Sequence, residues 1–149
     1  MLEIFALTLG LAHFSMPLIY YYYLKRHIND LWKLRIDRNH VLPITVIVPT
    51  YNEANLIEKK LDNIYEQDYP KDKTNIVLVD SSTDGTISKV KQWREKHKEI
   101  KLKIIEEDER KGKAHSLNTA LKYVDREIIV LTDADSFWAK GSLKESVKY

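Results

Sequence analysis

The chain reads as an α/β protein: a mostly parallel open sheet with helices on both faces, preceded by one transmembrane helix. Three observations lead there. Short β-branched runs alternate with amphipathic stretches from Ile44 onward, and such alternation implies crossover connections within a parallel sheet. Residues 1–24 hold no lysine or arginine and one acid, Glu3, whereas all 24 basic residues lie from Lys25 onward. Finally, the apolar run Ile128-Ile129-Val130-Leu131, which reads as a buried strand, ends in Thr132-Asp133-Ala134-Asp135.

The 149 residues suffice for one modest domain. With a net charge of +2 and no basic-aromatic stripe, nucleic acid is not the expected partner. The absence of cysteine excludes a disulfide framework, a thiolate metal site and a thiol nucleophile.

Three segments follow: a transmembrane anchor over 1–24, a juxtamembrane helix and linker over 25–43, and an α/β domain over 44–149. Leu2 to Leu24 is largely apolar or aromatic, and as a helix it spans about 34 Å against a hydrocarbon core of roughly 30 Å. Tyr20 to Tyr23 make an aromatic belt, and Lys25, Arg26 and His27 follow at once. The positive-inside rule then puts the rest of the chain in the cytoplasm. A cleaved signal peptide would want its positive charge before the apolar run, so a retained single-pass anchor is expected. Ile28, Leu31 and Trp32, set among charges, suggest an interfacial helix lying on the membrane.

Beyond Pro43, Ile44–Val48 is a first strand. Asn52 suits an N-cap, and Leu56, Ile57, Leu61, Ile64 and Tyr65 supply the apolar face of the next helix. Asn75–Val79 is a second buried strand ending at Asp80. The turn from Ser81 to Thr86 leads into a helix that buries Ile87, Val90 and Trp93, with Asp84 as its cap. Leu102–Ile105 alternates like an edge strand. A helix carrying Ala114, Leu117, Ala120 and Leu121 precedes the Ile128 strand, and Gly141-Ser142 opens a last helix.

In open α/β sheets the ligand sits beyond the carboxyl ends of the strands, where the strand order switches. Those ends carry Tyr51 and Glu53, then Asp80, then Asp133 and Asp135. Clustered carboxylates repel unless a cation or hydrogen-bond donors compensate. In an extended backbone Asp133 and Asp135 point the same way, with Ala134 keeping the gap uncrowded. Two such hard oxygen ligands suit Mg²⁺ or Mn²⁺ carrying a phosphate-bearing ligand. The loop Glu109-Arg110-Lys111-Gly112-Lys113-Ala114 adds positive charge at a helix start, where backbone N–H groups also favour anions.

Four motifs stand in order: Val46-Ile47-Val48-Pro49-Thr50-Tyr51-Asn52-Glu53, Val79-Asp80-Ser81-Ser82-Thr83-Asp84-Gly85-Thr86, Lys111-Gly112-Lys113-Ala114 with Leu117-Asn118, and Thr132-Asp133-Ala134-Asp135. Together they resemble the family 2 inverting glycosyltransferases of the GT-A fold, over Ile44 to Tyr149. The resemblance implies a metal-dependent, inverting hexosyl transfer from a UDP- or GDP-sugar to a polysaccharide or lipid-linked acceptor. It implies that the Pro49, Tyr51 and Glu53 loop and Asp80 hold base and ribose, and that Lys113 with Lys111 faces the nucleotide. Asp133 would approach the ribose or sugar, and Asp135, with Asp133 beside it, would ligate the metal.

In that family the acceptor-binding half and the general base follow the D-x-D strand. Here 14 residues follow Asp135, Glu145 is their sole acid, and no residue is assigned as base. The expectation is therefore a donor-binding portion, incomplete at the C-terminus and completed by a second chain or a missing half. Two other readings are a non-catalytic nucleotide-sugar-binding or assembly fragment, and a haloacid-dehalogenase-type phosphatase with Asp133 as nucleophile.

Overall fold

The computed structural model describes residues 1–28 and 41–148, in two units, Met1–Arg35 and Ile36–Tyr149. The juxtamembrane expectation for Leu31 and Trp32 lies outside the described residues. Among the described residues of the first unit one helix, α1 (Leu2–His27), runs three residues past the expected span and on through Pro17. At 26 residues it is about 39 Å long, long and apolar enough to cross a membrane. The Thr8 and Ser15 hydroxyls donate to carbonyls of the preceding turn, so neither carries an unsatisfied donor into an apolar medium.

The second unit alternates as the sequence predicts: β1 (Ile44–Thr50), α2 (Ile57–Tyr65), β2 (Thr74–Asp80), α3 (Thr86–Lys96), β3 (Lys101–Glu106), α4 (Lys113–Leu121), β4 (Ile128–Leu131) and α5 (Ser142–Ser146), with a 3-10 turn at Lys71–Lys73. All pairings are parallel, in the order β3-β2-β1-β4. Alternate side chains of the two central strands feed two cores. Ile44, Val46, Val48, Ile76 and Leu78 meet Ile57, Leu61 and Ile64 of α2 with Val90 and Trp93 of α3. Ile47, Val77 and Val79 meet Ala120 of α4 on the other face, with Leu117 beside them. β1 and β2 are apolar on both faces because both faces are covered.

Four expectations need correction. Asn52 caps no helix: it adopts a left-handed φ of 57°, and α2 begins only at Ile57 after the Glu53 carbonyl accepts from Leu56 and Ile57 N–H. Asn52 instead ties two loops, its Oδ1 accepting from Thr83 N–H at 3.0 Å and its own N–H donating to Ser82 Oγ at 2.7 Å. β4 is not a buried strand. It pairs with β1 alone among the described strands, and Ile129 and Leu131 are 40% and 58% exposed. Its apolar residues do alternate: Ile128 and Val130 pack on the larger core, while α4 covers β1 and β2 but leaves the second face of β4 open. Ala114 and Leu121 are likewise exposed on α4. Finally, Asp135 does not lie on extended backbone, because the strand ends at Leu131 and the chain turns at Ala134-Asp135.

Candidate functional site

The register sets Thr50 level with Asp80, Asp80 level with Glu106, and Leu131 level with Ile47. From β1 the strand order steps outward through β2 to β3, then returns to place β4 on the other side of β1. The switch therefore falls between β1 and β4, and a cleft of about 290 Å³ opens there. β1 and the following loop contribute Pro49, Thr50, Tyr51 and Glu53; the end of β2 contributes Ser81. Arg110, Gly112, Lys113 and Ser116 come from the start of α4, and Asp133, Ala134 and Asp135 from the turn after β4.

Six of the eight residues expected at the site thus share one cleft: Pro49, Tyr51, Glu53, Lys113, Asp133 and Asp135. Asp80 and Lys111 do not line it. The Asp80 side chain is 2% exposed and accepts from Thr50 Oγ1 at 2.6 Å, Ser82 N–H at 2.9 Å and Ser82 Oγ at 2.6 Å. It braces the loops that form the cleft wall. Lys111 stands in solvent, 3.9 Å from Glu109. Asp84 does not take the cap position expected of it, which falls to Gly85; from one residue further back its Oδ1 accepts from Thr86 N–H at 2.9 Å, and its Oδ2 accepts from Ala54 N–H. These bonds hold the Asp84 carboxyl below its ordinary value, the Thr86 hydroxyl contributing most.

The Lys113 ammonium lies 2.5 Å from Asp133 Oδ1, so one aspartate of the pair is charge-compensated. Among the described residues no cation pairs with Asp135, and it is exposed. Burial, then the Asp135 and Asp84 charges, hold the Glu53 carboxyl above its ordinary value. The cleft therefore carries negative charge at the Asp135–Glu53 side and positive charge at Lys113 and Arg110. The two aspartates suit one side of a Mg²⁺ or Mn²⁺ shell. No cluster of three or more His, Cys, Asp or Glu side chains able to hold a metal occurs among the described residues. The donor set fits an ion completed by ligand oxygens and water.

Gly112 reaches φ 89° and ψ 161°, a combination essentially restricted to glycine, and it delivers Lys113 into the first turn of α4. Glu107 anchors that turn, accepting from Ser116 Oγ at 2.8 Å and Thr119 Oγ1 at 3.0 Å.

Three residues escaped the sequence reading. Arg110 stands 4.0 Å over the Tyr51 ring, a cation–π contact that closes one end of the cleft. The basic loop containing Arg110 was legible, but which of its charges turns inward was not. Ser116, one turn after Lys113, shares its face. Lys60 of α2 is fully buried, its ammonium donating to the Ser136 carbonyl and lying 4.2 Å from the centre of the Trp138 ring. Nothing local marked it.

Burial pushes the Lys60 amine down to about 8, against an opposing pull from the Asp133 and Asp135 charges. Its folded value is below the unfolded one, so the folded chain binds fewer protons between about pH 8 and 10.5. The cost of burying the ammonium is complete below that window and removed as pH rises through it. Urea unfolding should accordingly show wild type gaining on Lys60→Met by up to about 3 kcal/mol across the window; parallel pH profiles would refute the assignment.

The sequence profile described as "Glycosyl transferase family 2" matches residues 45–149. The chain is 31% identical over 106 residues to a dolichyl N-acetyl-α-D-glucosaminyl phosphate 3-β-D-2,3-diacetamido-2,3-dideoxy-β-D-glucuronosyltransferase of Methanococcus voltae, covering 70% of this chain and 33% of that protein. It is 33% identical over 111 residues to the poly(ribitol-phosphate) β-N-acetylglucosaminyltransferase TarS of Staphylococcus aureus, covering 73% of this chain and 19% of TarS. Among solved structures, the mannosyltransferase PcManGT of Pyrobaculum calidifontis, in complex with GDP-Man and Mn²⁺, is 54% identical with a TM-score of 0.85, over 100% of this chain and 44% of that one. S. aureus TarS 1–349 in complex with UDP-GlcNAc is 32% identical with a TM-score of 0.65, over 71% and 30%. The chain thus spans a third or less of these curated relatives and under half of PcManGT. With the profile match running from the second residue of β1 onward, the chain belongs to glycosyl transferase family 2.

Proposed function

We propose that the cleft binds a nucleoside-diphosphate sugar with Mn²⁺ or Mg²⁺, and that the protein transfers the sugar, with inversion, to a polysaccharide or lipid-linked acceptor. The observation that carries this reading is the meeting of two aspartates, one unpaired by any described cation, with Lys113 and Arg110 at the strand-order switch. Tyr51 and Pro49 flank the base, and Glu53 lies where a ribose hydroxyl would donate to it. Lys113 and Arg110 face the diphosphate, and Asp80 keeps the cleft wall in shape through Thr50 and Ser82. Asp135, with Asp133 beside it, would hold the metal, which when bound would supply Lewis-acid stabilisation of the charge on a nucleoside diphosphate leaving group.

GDP-mannose is the first donor to test, because the solved relative with 54% identity over the whole chain holds GDP-Man and Mn²⁺. UDP-GlcNAc comes second, from the TarS complex. Calorimetric titration of the full chain in detergent should give metal-dependent binding of one of them; heats that ignore chelation of the metal would count against the reading. A binding-only role has one observation in its favour: Glu145, the acid after Asp135, does not line the cleft and pairs with Lys148 at 2.5 Å. Sugar transfer or donor hydrolysis by the chain would exclude it. The phosphatase reading loses its ground, since residues 45–149 match glycosyl transferase family 2.

We further propose the segmentation 1–24, 25–43 and 44–149, with α1 a retained single-pass anchor and the glycosyltransferase domain cytoplasmic. Its length, its Tyr20–Tyr23 belt and the basic residues at its end support this. Alkaline carbonate extraction should leave the full chain in the membrane pellet, and release into the supernatant would contradict the anchor.

A further inference from the structure

We propose that Lys60 and Asn63 of α2 are positioning residues for Asp135, clamping the segment that carries it; this rests on the donor-site reading above. Between the end of β4 and the start of α5 the chain forms neither helix nor strand, so its own backbone ladder does not fix the two aspartates. Side chains from α2 do so across about 75 positions of sequence. Lys60 donates to the Ser136 carbonyl, one residue past Asp135, and covers the Trp138 ring. One turn further, Asn63 Nδ2 donates to the Trp138 carbonyl at 2.9 Å, while its Oδ1 accepts from Trp138 N–H at 2.8 Å. Past the end of α2, Gln67 adds a third contact, its Oε1 accepting from Leu143 N–H at 3.4 Å.

This arrangement is costly if its only purpose is packing. Lysine is almost never fully buried unless it is paired, and an apolar side chain would fill the same space without desolvating an ammonium. The return is geometric. A ligand-bearing turn is held by a rigid helix, and outer partners of metal ligands commonly change metal affinity by about 10–100-fold when removed. The Lys60 charge and the Lys60 contact also predict opposite signs. Through charge alone the ammonium repels a cation, so its loss would tighten Mn²⁺ binding; through positioning, its loss weakens it.

The test is Mn²⁺ titration of the full chain in detergent with saturating GDP-mannose, followed by the electron paramagnetic resonance signal of free Mn²⁺. Wild type is compared with Asn63→Ser, Lys60→Met and Lys60→Arg, each well below its own Tm. Asn63→Ser leaves every charge in place and should weaken Mn²⁺ binding about tenfold. Lys60→Met should weaken it similarly, and Lys60→Arg, which keeps a donor, should recover part of the loss. Either of the first two variants suffices if the other does not fold. A purely structural role would lower Tm and leave the affinity of the folded protein unchanged, which would overturn the proposal, as would tighter binding by Lys60→Met. Failure of wild type itself to take up Mn²⁺ with either GDP-mannose or UDP-GlcNAc would overturn the donor reading, and this proposal with it.

Discussion

Asp135→Ala should weaken Mn²⁺-dependent nucleotide-sugar binding by about 100-fold or more, a loss of roughly 3 kcal/mol, while leaving the fold intact. Asp135 is exposed on a turn, and surface substitutions of this kind stay within about 0.5 kcal/mol in stability. Its carboxylate is nevertheless the one of the two that no described cation compensates, and its charge acts on both Glu53 and Lys60. Removing it takes away the hard ligand with the least competition for its oxygens. Asp133→Ala should cost less, because it also frees Lys113 for the diphosphate. Calorimetry with GDP-mannose in Mn²⁺ and in chelator measures both effects, and Asp135→Ala binding within about threefold of wild type would sink the metal assignment.

Leu78→Ala should have the largest effect on stability, about 2–5 kcal/mol. Leu78 is fully buried on β2, which pairs with β1 on one side and β3 on the other. Its side chain belongs to the core shared with α2 and α3, so truncation leaves a void between sheet and helices that neither can close without bending. For a domain whose net stability is commonly about 5–15 kcal/mol, this is a large fraction. The contrasting substitution is Leu121→Ala: the same change at a site 47% exposed, where the described chain predicts a cost below about 0.5 kcal/mol. Urea unfolding monitored by circular dichroism measures both, and equal midpoints for the two variants would contradict the core described above.

Which parts were readable in advance follows from where the information lies. The β1 and β2 runs are continuous β-branched stretches bounded by turn residues, and both proved to be central strands covered on two faces. The cleft at the β1–β4 switch was legible because polar and charged residues stand at the ends of otherwise apolar runs. β4 misled because Ile129 and Leu131 are as apolar as Ile128 and Val130, and composition alone cannot tell a covered face from an open one. Asn52 misled because a residue that suits an N-cap also tolerates left-handed backbone, and the partners that decide between them, Ser82 and Thr83, lie about thirty positions away. Lys60 was invisible for the same reason: its partners Ser136 and Trp138 are distant in sequence, and a lysine beside Leu61 reads as a solvated residue at the border of a helix face. Asp80 was placed correctly at a strand end, where Thr50 and Ser82 occupy three of its roughly four acceptor positions, a bracing role that no neighbouring residue in the sequence announces.

The proposed donor site puts one metal ion at Asp135 beside a nucleotide diphosphate. Anomalous scattering at the manganese edge, from crystals of the full chain grown with Mn²⁺ and GDP-mannose, tests it most directly. A single strong peak within coordination distance of the Asp135 carboxylate and the diphosphate, with the base against Tyr51, is the predicted result. Density for the nucleotide with no manganese at Asp135, or manganese bound elsewhere, would contradict it.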